Sequence, residues 1–306
     1  MPPDRVVSLI ASSTEIVCAL GLESRLVGRS HECDFPASVK GLPICTAPKF
    51  NIEGTSYQID QRVKALLQEG LSVYRVDAEQ LQRLGPDVII TQSQCQVCAA
   101  SLSDVERAVC DWLGSKPRIV SLEPNSLEDV WSDIARVAEA LEAQAAGAAL
   151  VAALRQRMER IQRVTRTVTE RPTIACIEWI EPLMAAGNWM PELVEMAGGV
   201  NLFGRSGQHS PWMNWEELVA SNPDIILALP CGWDIERSRE ALRGLERKPE
   251  WASLDAVHNG RVYVADGNQY FNRPGPRLAE SLEILAELIH PELFQFGHGG
   301  SGSERF

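Results

Sequence analysis

The sequence predicts an α/β protein with two Rossmann-like lobes, each containing a mainly parallel β-sheet. Three observations lead to this fold class. The length of 306 residues exceeds that of a usual single domain, apolar strand-like runs alternate with helical patterns, and two segments of the first half recur in the second. Because alternating strands and helices favour parallel sheets, the recurrence predicts a second lobe that repeats the topology of the first.

The first recurring unit is a strand followed by a helix that ends at glycine. The run VVSLI and the helical segment SSTEIVCALGL recur as TIACI and PELVEMAGG. We expect Ser13 or Thr14 to cap the first helix and Gly21 to end it. The tripeptide GRS follows at 28–30 and at 204–206, so the two segments continue to match beyond their helices.

The second recurring unit places cysteines after apolar strands. AEQLQRLGPDVIITQSQCQVC at 78–98 parallels WEELVASNPDIILALPCGW at 215–233, each reading as a helix, a Pro-Asp turn, a strand and a cysteine. In open parallel sheets, ligands bind beyond the carboxyl ends of the strands. Cys95, Cys98 and Cys231 are therefore expected at ligand-facing positions.

A single long helix is predicted between the lobes, over residues 126–170. Ser126 is placed to cap it, apolar residues follow at helical spacing, and Pro172 stops it. Gly147 is the expected point of a kink, and a straight connector of this kind favours little closure between the lobes. The predicted divisions are an N-terminal lobe at 1–125, the connecting helix at 126–170, a C-terminal lobe at 171–296 and a disordered tail at 297–306.

Charge and hydropathy exclude several classes of partner. A net charge of −12 argues against nucleic acid and against an anionic membrane surface, because both would repel an acidic chain. No apolar run reaches the roughly 18 residues that a membrane span needs. The start, MPPDRVVSLIASS, shows no signal-peptide pattern, so a cytoplasmic location is expected.

Several phrases of the sequence resemble a known family over residues 5–290. These are SLIASSTEIVCALGLESRLVGRSHECDFP, GPDVIITQ, LMAAGNWMPELVEMAGGVNLF and VYVADGNQYFNRPGPRLAESLEIL. They are similar to segments of the helical-backbone substrate-binding proteins of ABC importers for cobalamin, siderophores and metals, and most similar to leaderless cobalamin-binding-like members. The resemblance implies a small-molecule or metal-chelate ligand, cobalamin or a related corrinoid, held in a cleft between the lobes. It also implies docking on an importer, against which the missing export signal argues.

Aromatic residues in the predicted loops suit a large flat ligand, because aromatic rings can lie against the apolar faces of a macrocycle. Each ring taken singly is more often core or lobe-edge packing. An arginine beside the Pro-Gly-Pro turn can hold a carboxylate or phosphate through paired hydrogen bonds. The candidate ligand-binding residues are Trp189, Trp212, Trp233, Tyr270, Phe271 and Arg273.

Four cysteines follow predicted strand ends and form a candidate metal site: Cys33, Cys95, Cys98 and Cys231. Four converging thiolates suit zinc or an iron–sulfur cluster. The alternative function is therefore a metalloprotein with a cysteine-ligated metal in the cleft, with redox or enzymatic activity. A thioredoxin-like role is less well matched, because TQSQCQVC only partly fits that motif. Buried free cysteine is also an ordinary core residue, and this interpretation suits Cys18, Cys110 and Cys176.

The chain lacks the common catalytic motifs GxSxG, the P-loop and HExxH. Asp34 and His209 are the best acid–base candidates, and no spacing links them. His31 shares its predicted loop, SHECDFP, with Asp34 and Cys33. We therefore predict a binding protein rather than an enzyme.

Overall fold

The computed structural model describes residues 3–69, 71–94, 102–109 and 117–306, and it has α/β architecture. The chain divides into two compact units. The first unit comprises Met1–Gly54, Gln61–Pro124 and Glu128–Ala153, and the second comprises Thr55–Asp60, Asn125–Leu127 and Leu154–Phe306. Each unit contains a mainly parallel sheet, so the predicted fold class is confirmed.

The first unit contains a four-stranded parallel sheet and a separate antiparallel pair of strands. Its strands are β1 (Val6–Ser8), β2 (Leu26–Arg29), β3 (Thr46–Pro48), β4 (Tyr74–Val76), β5 (Val88–Gln92) and β6 (Arg118–Leu122). The parallel sheet has the order β2-β1-β5-β6, and β3 pairs with β4. Val7, Leu9 and Ile89 lie in its core, because strands covered by helices on both faces are apolar along their length.

Among the residues that the structure describes, six α-helices accompany these strands and continue to the start of the second sheet. They are α1 (Ala11–Ala19), α2 (Ser56–Gln68), α3 (Ala78–Leu84), α4 (Leu102–Val109), α5 (Leu127–Ala140) and α6 (Gln144–Thr165). In the described part of the chain, no helix combines the length and apolar character needed to cross a membrane.

The second unit contains a six-stranded sheet whose central strands are parallel. Its strands are β7 (Thr173–Trp179), β8 (Met184–Ala185), β9 (Val200–Asn201), β10 (Ile225–Ala228), β11 (Val262–Ala265) and β12 (Ser303–Arg305). The parallel strands follow the order β9-β7-β10-β11, with β8 antiparallel to β7 and β12 antiparallel to β11.

The helices of the second unit follow the strands in alternation. They are α7 (Met190–Met196), α8 (Trp215–Ser221), α9 (Ile235–Glu246), α10 (Asp255–His258) and α11 (Leu278–Ile289), and a π-helical turn covers Gly267–Phe271. Ile177, Leu218 and Ile226 are fully buried beneath them, so the sheet and the helices share one core.

The two sheets repeat one topology, as the recurring segments predict. The order β2-β1-β5-β6 of the first unit corresponds to β9-β7-β10-β11 of the second. The Pro-Asp turn has the same role in both. Asp87 Oδ2 accepts the backbone N–H of Arg5 at 3.1 Å, and Asp224 Oδ2 accepts that of Thr173 at 2.7 Å. Each aspartate thereby fixes the beginning of the neighbouring strand.

The helices before these turns also begin and end alike. The side chain of Asp77 accepts the N–H of Gln80 at the start of α3, and Asn214 forms a capping box with Glu217 at the start of α8. Gly85 and Asn222 end the same helices with positive φ angles of 52° and 41°. Both residue types are among the few that adopt this left-handed conformation readily.

The predicted start of the first helix is wrong. Helix α1 begins at Ala11 with Ile10 as its N-cap residue, so Ser13 and Thr14 lie in its first turn. The Ser13 hydroxyl donates to the Ile10 carbonyl at 3.1 Å. These hydroxyls bond back to the preceding turn instead of capping the helix.

The predicted single helix over 126–170 is two helices. A turn between Ala140 and Gln144 separates α5 from α6, and Glu142 adopts a left-handed φ of 56° within it. Gly147 lies inside α6, where a Cβ atom would come within 2.5 Å of Ala138 Cβ. Gly147 is therefore a contact position between two helices and does not mark the chain break.

The predicted disordered tail at 297–306 is also wrong. Ser303–Arg305 form β12, and Tyr263 of β11 pairs with Arg305. The carboxylate of Glu287 accepts the backbone N–H groups of 296–298. Glycine-rich composition therefore reflects turns here, because the backbone hydrogen bonds of this segment are satisfied within the fold.

One substitution at two helical glycines tests the contact between α5 and α6. Gly147→Ala is expected to destabilise the protein by about 1–3 kcal/mol, the usual cost of overpacking, because the new methyl group meets Ala138. Gly244→Ala in α9 is the matched control, since a Cβ there meets nothing within 4 Å, and it is expected to stabilise by up to about 1 kcal/mol. Urea unfolding measures both, and equal effects at the two positions would contradict the contact.

Candidate functional site

Three strands of the second unit end side by side and supply the loops of the candidate site. Strand β7 ends at Trp179, β10 leads into Leu229–Trp233, and β11 leads into the turn Asp266–Phe271. The β10 loop is tied to β7, because the N–H of Cys231 donates to the carbonyl of Glu178 at 3.2 Å. This is the sheet edge at which parallel α/β folds bind ligands.

The β10 and β11 loops approach each other closely at Gly267. A Cβ atom at Gly267 would lie 2.3 Å from the Pro230 carbonyl oxygen and 2.6 Å from that of Leu229. The side-chain amide of Asn272 donates to the Leu229 carbonyl at 3.0 Å, and the N–H of Asn268 donates to the Trp233 carbonyl at 3.0 Å. The two loops therefore form one continuous wall.

Two tryptophans and an arginine pack together at this edge and form a tryptophan–arginine cluster. The rings of Trp179 and Trp233 have centroids 5.1 Å apart and are tilted by 47°, and the guanidinium of Arg237, on helix α9, lies 4.4 Å from the Trp233 centroid. Trp233 is buried, whereas Trp179 remains partly exposed. The tryptophan–arginine cluster therefore presents the partly exposed indole of Trp179, which packs against a buried ring that also contacts a cation.

Three other predicted aromatic residues lie in or contact the π-helical turn. Trp189 is buried and its indole N–H donates to the Phe271 carbonyl at 2.9 Å. Phe271 is fully buried, so its ring packs in the interior and holds the π-helical turn in place. Tyr270 is partly exposed and packs edge-on against His298, with ring centroids 6.2 Å apart.

Two arginines are held by the π-helical turn. Arg273 Nη2 donates to Asn268 Oδ1 at 2.9 Å, and Arg277 Nη2 donates to Gln269 Oε1 at 2.9 Å. Both guanidinium groups are buried. Burial raises the pKa of Asp266 against the opposing effect of Arg273.

Trp212 lies apart from the other predicted aromatics. It is 57% exposed and lines a surface pocket of about 510 Å³ together with Phe203, Pro211, Met213, Glu217, Ala220 and Ser221. None of these lining residues belongs to the loops after β7, β10 or β11. We give the strand-end loops precedence over this pocket because they carry the buried arginines and the supported indole surface.

The first unit places His31 after the end of β2. Its Nδ1 lies 2.8 Å from Thr46 Oγ1, and its ring packs against Tyr74 with centroids 5.2 Å apart. Burial, together with the Arg29 guanidinium, lowers the pKa of His31 to about 4. The imidazole is therefore neutral at physiological pH.

The structure supports the core interpretation for the cysteines outside the predicted metal site. Burial raises the pKa of Cys18 and Cys176 to about 12, so both thiols remain protonated. Cys110 lies outside the described residues. Cys176 is buried and Cys18 is partly exposed, and a protonated thiol behaves as a small apolar side chain.

The candidate metal site is only partly described. Cys33 is fully buried and its Sγ lies 3.0 Å from Thr14 Oγ1, whereas Cys231 is partly exposed at the β10 loop. Cys95 and Cys98 lie outside the described residues. Among the residues that are described, no group of three or more histidine, cysteine and acidic side chains could hold a metal ion. A site shared by all four cysteines stays a prediction.

Sequence reasoning missed Arg237 and Thr46 and left Trp179 and His31 out of the candidate set. Thr46 lies on β3, 15 residues away from its partner ring in His31. Arg237 follows Trp233 by only four residues at the start of α9, and Trp179 is the last residue of the repeated strand β7, so both could have been found. Position at a strand end and short sequence separation are thus the usable signals, and partners that are distant in sequence need the structure.

Comparisons with known proteins agree with the α/β fold of the two units. Residues 6–268 match the family model for periplasmic binding proteins. An uncharacterised ABC transporter substrate-binding lipoprotein of Bacillus subtilis is 24% identical over 301 residues, covering 96% of this chain and 82% of the relative. A vitamin B12-binding protein of Vibrio cholerae is 24% identical over 303 residues, covering 94% and 90%. A periplasmic heme-binding protein from Pseudomonas aeruginosa has a TM-score of 0.70 at 22% identity, covering 94% and 93%, a likeness that shows the fold.

The expected cytoplasmic location is wrong. Two similar proteins named above are a lipoprotein and a periplasmic protein. The expectation depended only on the first residues of the sequence, and these residues do not determine the cellular location of such proteins. The resemblance to substrate-binding proteins of ABC importers is confirmed. Since the family model spans both units of the structure, the chain belongs to the periplasmic binding protein family.

Proposed function

We propose that this protein captures cobalamin or a related corrinoid and presents it to an ABC importer. The tryptophan–arginine cluster of Trp179, Trp233 and Arg237 carries the proposal, because it offers a supported aromatic surface at the ligand-binding edge of the second sheet. A corrin ring is large and has broad apolar faces, which suit such a surface.

The arginines held by the π-helical turn favour a ligand that also carries an anionic group. Arg273 is buried and already oriented by Asn268, so binding an anion would require little ordering of the side chain. Cobalamin bears a phosphate in its nucleotide loop. Heme carries carboxylates and is the competing ligand of the same general shape.

The similar proteins support the same ligand class. The Vibrio cholerae relative is a vitamin B12-binding protein, and the Pseudomonas aeruginosa structure is of a heme-binding protein. Both ligands are metal-centred macrocycles. Proteins of this family deliver their ligands to importers, and we propose the same role here in place of the cytoplasmic role that the opening residues suggested.

Direct titration tests the proposed ligand. Purified protein is titrated with cyanocobalamin, aquocobalamin, hemin and a ferric siderophore, with tryptophan fluorescence and calorimetry as readouts. We expect a cobalamin to bind with a dissociation constant on the order of 1 μM or below, equivalent to about 8 kcal/mol. Heme binding without cobalamin binding would reassign the ligand, and binding of neither would refute the proposal.

A substitution at Trp179 tests the aromatic surface. Trp179→Leu is expected to weaken cobalamin binding about tenfold, because an aromatic contact contributes about 0.5–1.5 kcal/mol beyond its buried area. Phe296→Leu is the matched control, since Phe296 is an exposed aromatic residue outside the strand-end loops. Equal affinities of the two variants for cobalamin would contradict a role of the tryptophan–arginine cluster in binding.

A substitution at Arg273 tests recognition of the phosphate. Arg273→Lys keeps the charge and removes the forked geometry, so it is expected to weaken cobalamin binding about fivefold to tenfold. Binding of dicyanocobinamide, which lacks the nucleotide loop, should be little changed. Arg243→Lys on the exposed surface of α9 is the control. Equal losses for both ligands would show that Arg273 does not contact the phosphate.

A further inference from the structure

Glu178 is the additional residue of a β-bulge at the carboxyl end of β7. Ile177 pairs with Ala185, and Trp179 pairs with the preceding residue of β8, Met184. Two pairs that are consecutive in β8 are therefore separated by Glu178 in β7. Bulges redirect side chains and are frequent next to functional sites. This bulge places a carboxyl group directly before Trp179, at the edge that carries the tryptophan–arginine cluster.

The carboxyl group of Glu178 is held in place by a buried hydroxyl group. Ser210 Oγ donates to Glu178 Oε2 at 2.8 Å and accepts the backbone N–H of Gly187 at 3.1 Å. Ser210 is buried, and a Cβ atom at Gly187 would lie 2.8 Å from the Ser210 nitrogen. Because the single proton of the hydroxyl is used on Glu178, Oε2 acts as an acceptor, as in an ionised carboxylate. The Glu178 side chain is thus oriented while the residue remains partly exposed.

The carboxylate lies at the opposite end of the edge from the buried arginines. It is held by Ser210, which directly precedes the segment that pairs with the outer side of β8 through Trp212 and Met184. The sheet order from that side is β8-β7-β10-β11, and Arg273 follows the turn after β11. Neighbouring strands lie about 4.8 Å apart, so β7 and β11 are separated by roughly 10 Å. The edge therefore has a carboxylate at one end, indole rings in the middle and guanidinium groups at the other end.

This distribution of charge suits a ligand with hydrogen-bond donors at one end and an anion at the other. Carboxamide groups supply N–H donors and carry no charge, whereas carboxylates are acceptors only. A like charge placed against a fixed carboxylate opposes binding and suppresses wrong partners. Corrinoids carry carboxamides around the ring and cobalamin adds a phosphate, whereas heme carries propionates. The distribution therefore distinguishes the two candidate macrocycles.

We propose that Glu178 is a specificity-determining residue that accepts hydrogen bonds from the carboxamide groups of a corrinoid and repels macrocycles that carry carboxylates in their place. This inference rests on the proposed function and deepens it, because it selects amidated corrinoids over heme and over corrinoids with free acid groups. Ser210 is the positioning residue, since its hydroxyl group orients the carboxylate.

Two corrinoids with the same ring and the same axial ligands provide the test. Dicyanocobinamide carries carboxamides, and dicyanocobyrinic acid carries carboxylates in their place. Both lack the nucleotide loop, so contacts between Arg273 and the phosphate do not contribute. Quenching of tryptophan fluorescence measures both dissociation constants at neutral pH, and their ratio is the preference. We expect the wild-type protein to prefer dicyanocobinamide by about 100-fold, because like charges in contact strongly oppose binding.

Variants assign this preference to Glu178. Glu178→Gln removes the charge and keeps a side-chain oxygen that can accept the Ser210 proton. We expect the preference to fall about tenfold, mainly because dicyanocobyrinic acid binds more tightly. Ser210→Ala retains the charge and releases its orientation, so it should reduce the preference about threefold through weaker binding of dicyanocobinamide. Glu216→Gln removes one charge from the exposed surface of α8 and should leave the preference unchanged.

Circular dichroism verifies that each variant is folded, and the outcomes separate the two proposals. If both corrinoids bind and Glu178→Gln leaves the preference unchanged, the role of Glu178 is overturned and the proposed function stands. An equal loss of preference in Glu216→Gln would also overturn that role, because overall charge would then explain the effect. Failure of the wild-type protein to bind any corrinoid would refute the proposed function itself.

Discussion

Parallel pairing of neighbouring strands is the constraint on which the candidate site depends. In each unit, four strands run in one direction, so their carboxyl ends share one edge of the sheet. The loops after β7, β10 and β11 meet at this edge for that reason, and His31 follows β2 at the corresponding edge of the first sheet. The functional side chains of the candidate site thus lie on loops. The hydrogen bonds between the parallel strands determine where those loops are.

Support from buried groups gives these loops their fixed form. Gly267 allows two loop backbones to approach closely, Asn272 ties them together, and the indole N–H of Trp189 holds the Phe271 carbonyl. The arginines are likewise oriented before any ligand arrives. Binding by such a site loses less conformational entropy than binding by mobile side chains, and this favours affinity for a rigid ligand.

The sequence was sufficient for the features that depend on local pattern. The repeated helix–turn–strand segments predicted two sheets of the same order, and Gly85 marks a helix end because few other residues adopt its conformation. The turn at Glu142 could not be predicted, since a glutamate at positive φ leaves no signal in the sequence. Burial of Phe271 could not be predicted either, because it depends on neighbours that are distant in sequence. Arg237 could have been connected to Trp233, since only four residues separate them at the start of α9.

The short strand β12 has a consequence for the stability of the isolated protein in solution. It covers β11, which would otherwise expose a row of unpaired backbone groups at the edge of the sheet. Exposed strand edges recruit other chains and promote aggregation, and short polar strands are a natural protection against it. The residues Ser303, Glu304 and Arg305 therefore protect this sheet edge, and removing them would expose the backbone groups of β11 to pairing with other chains.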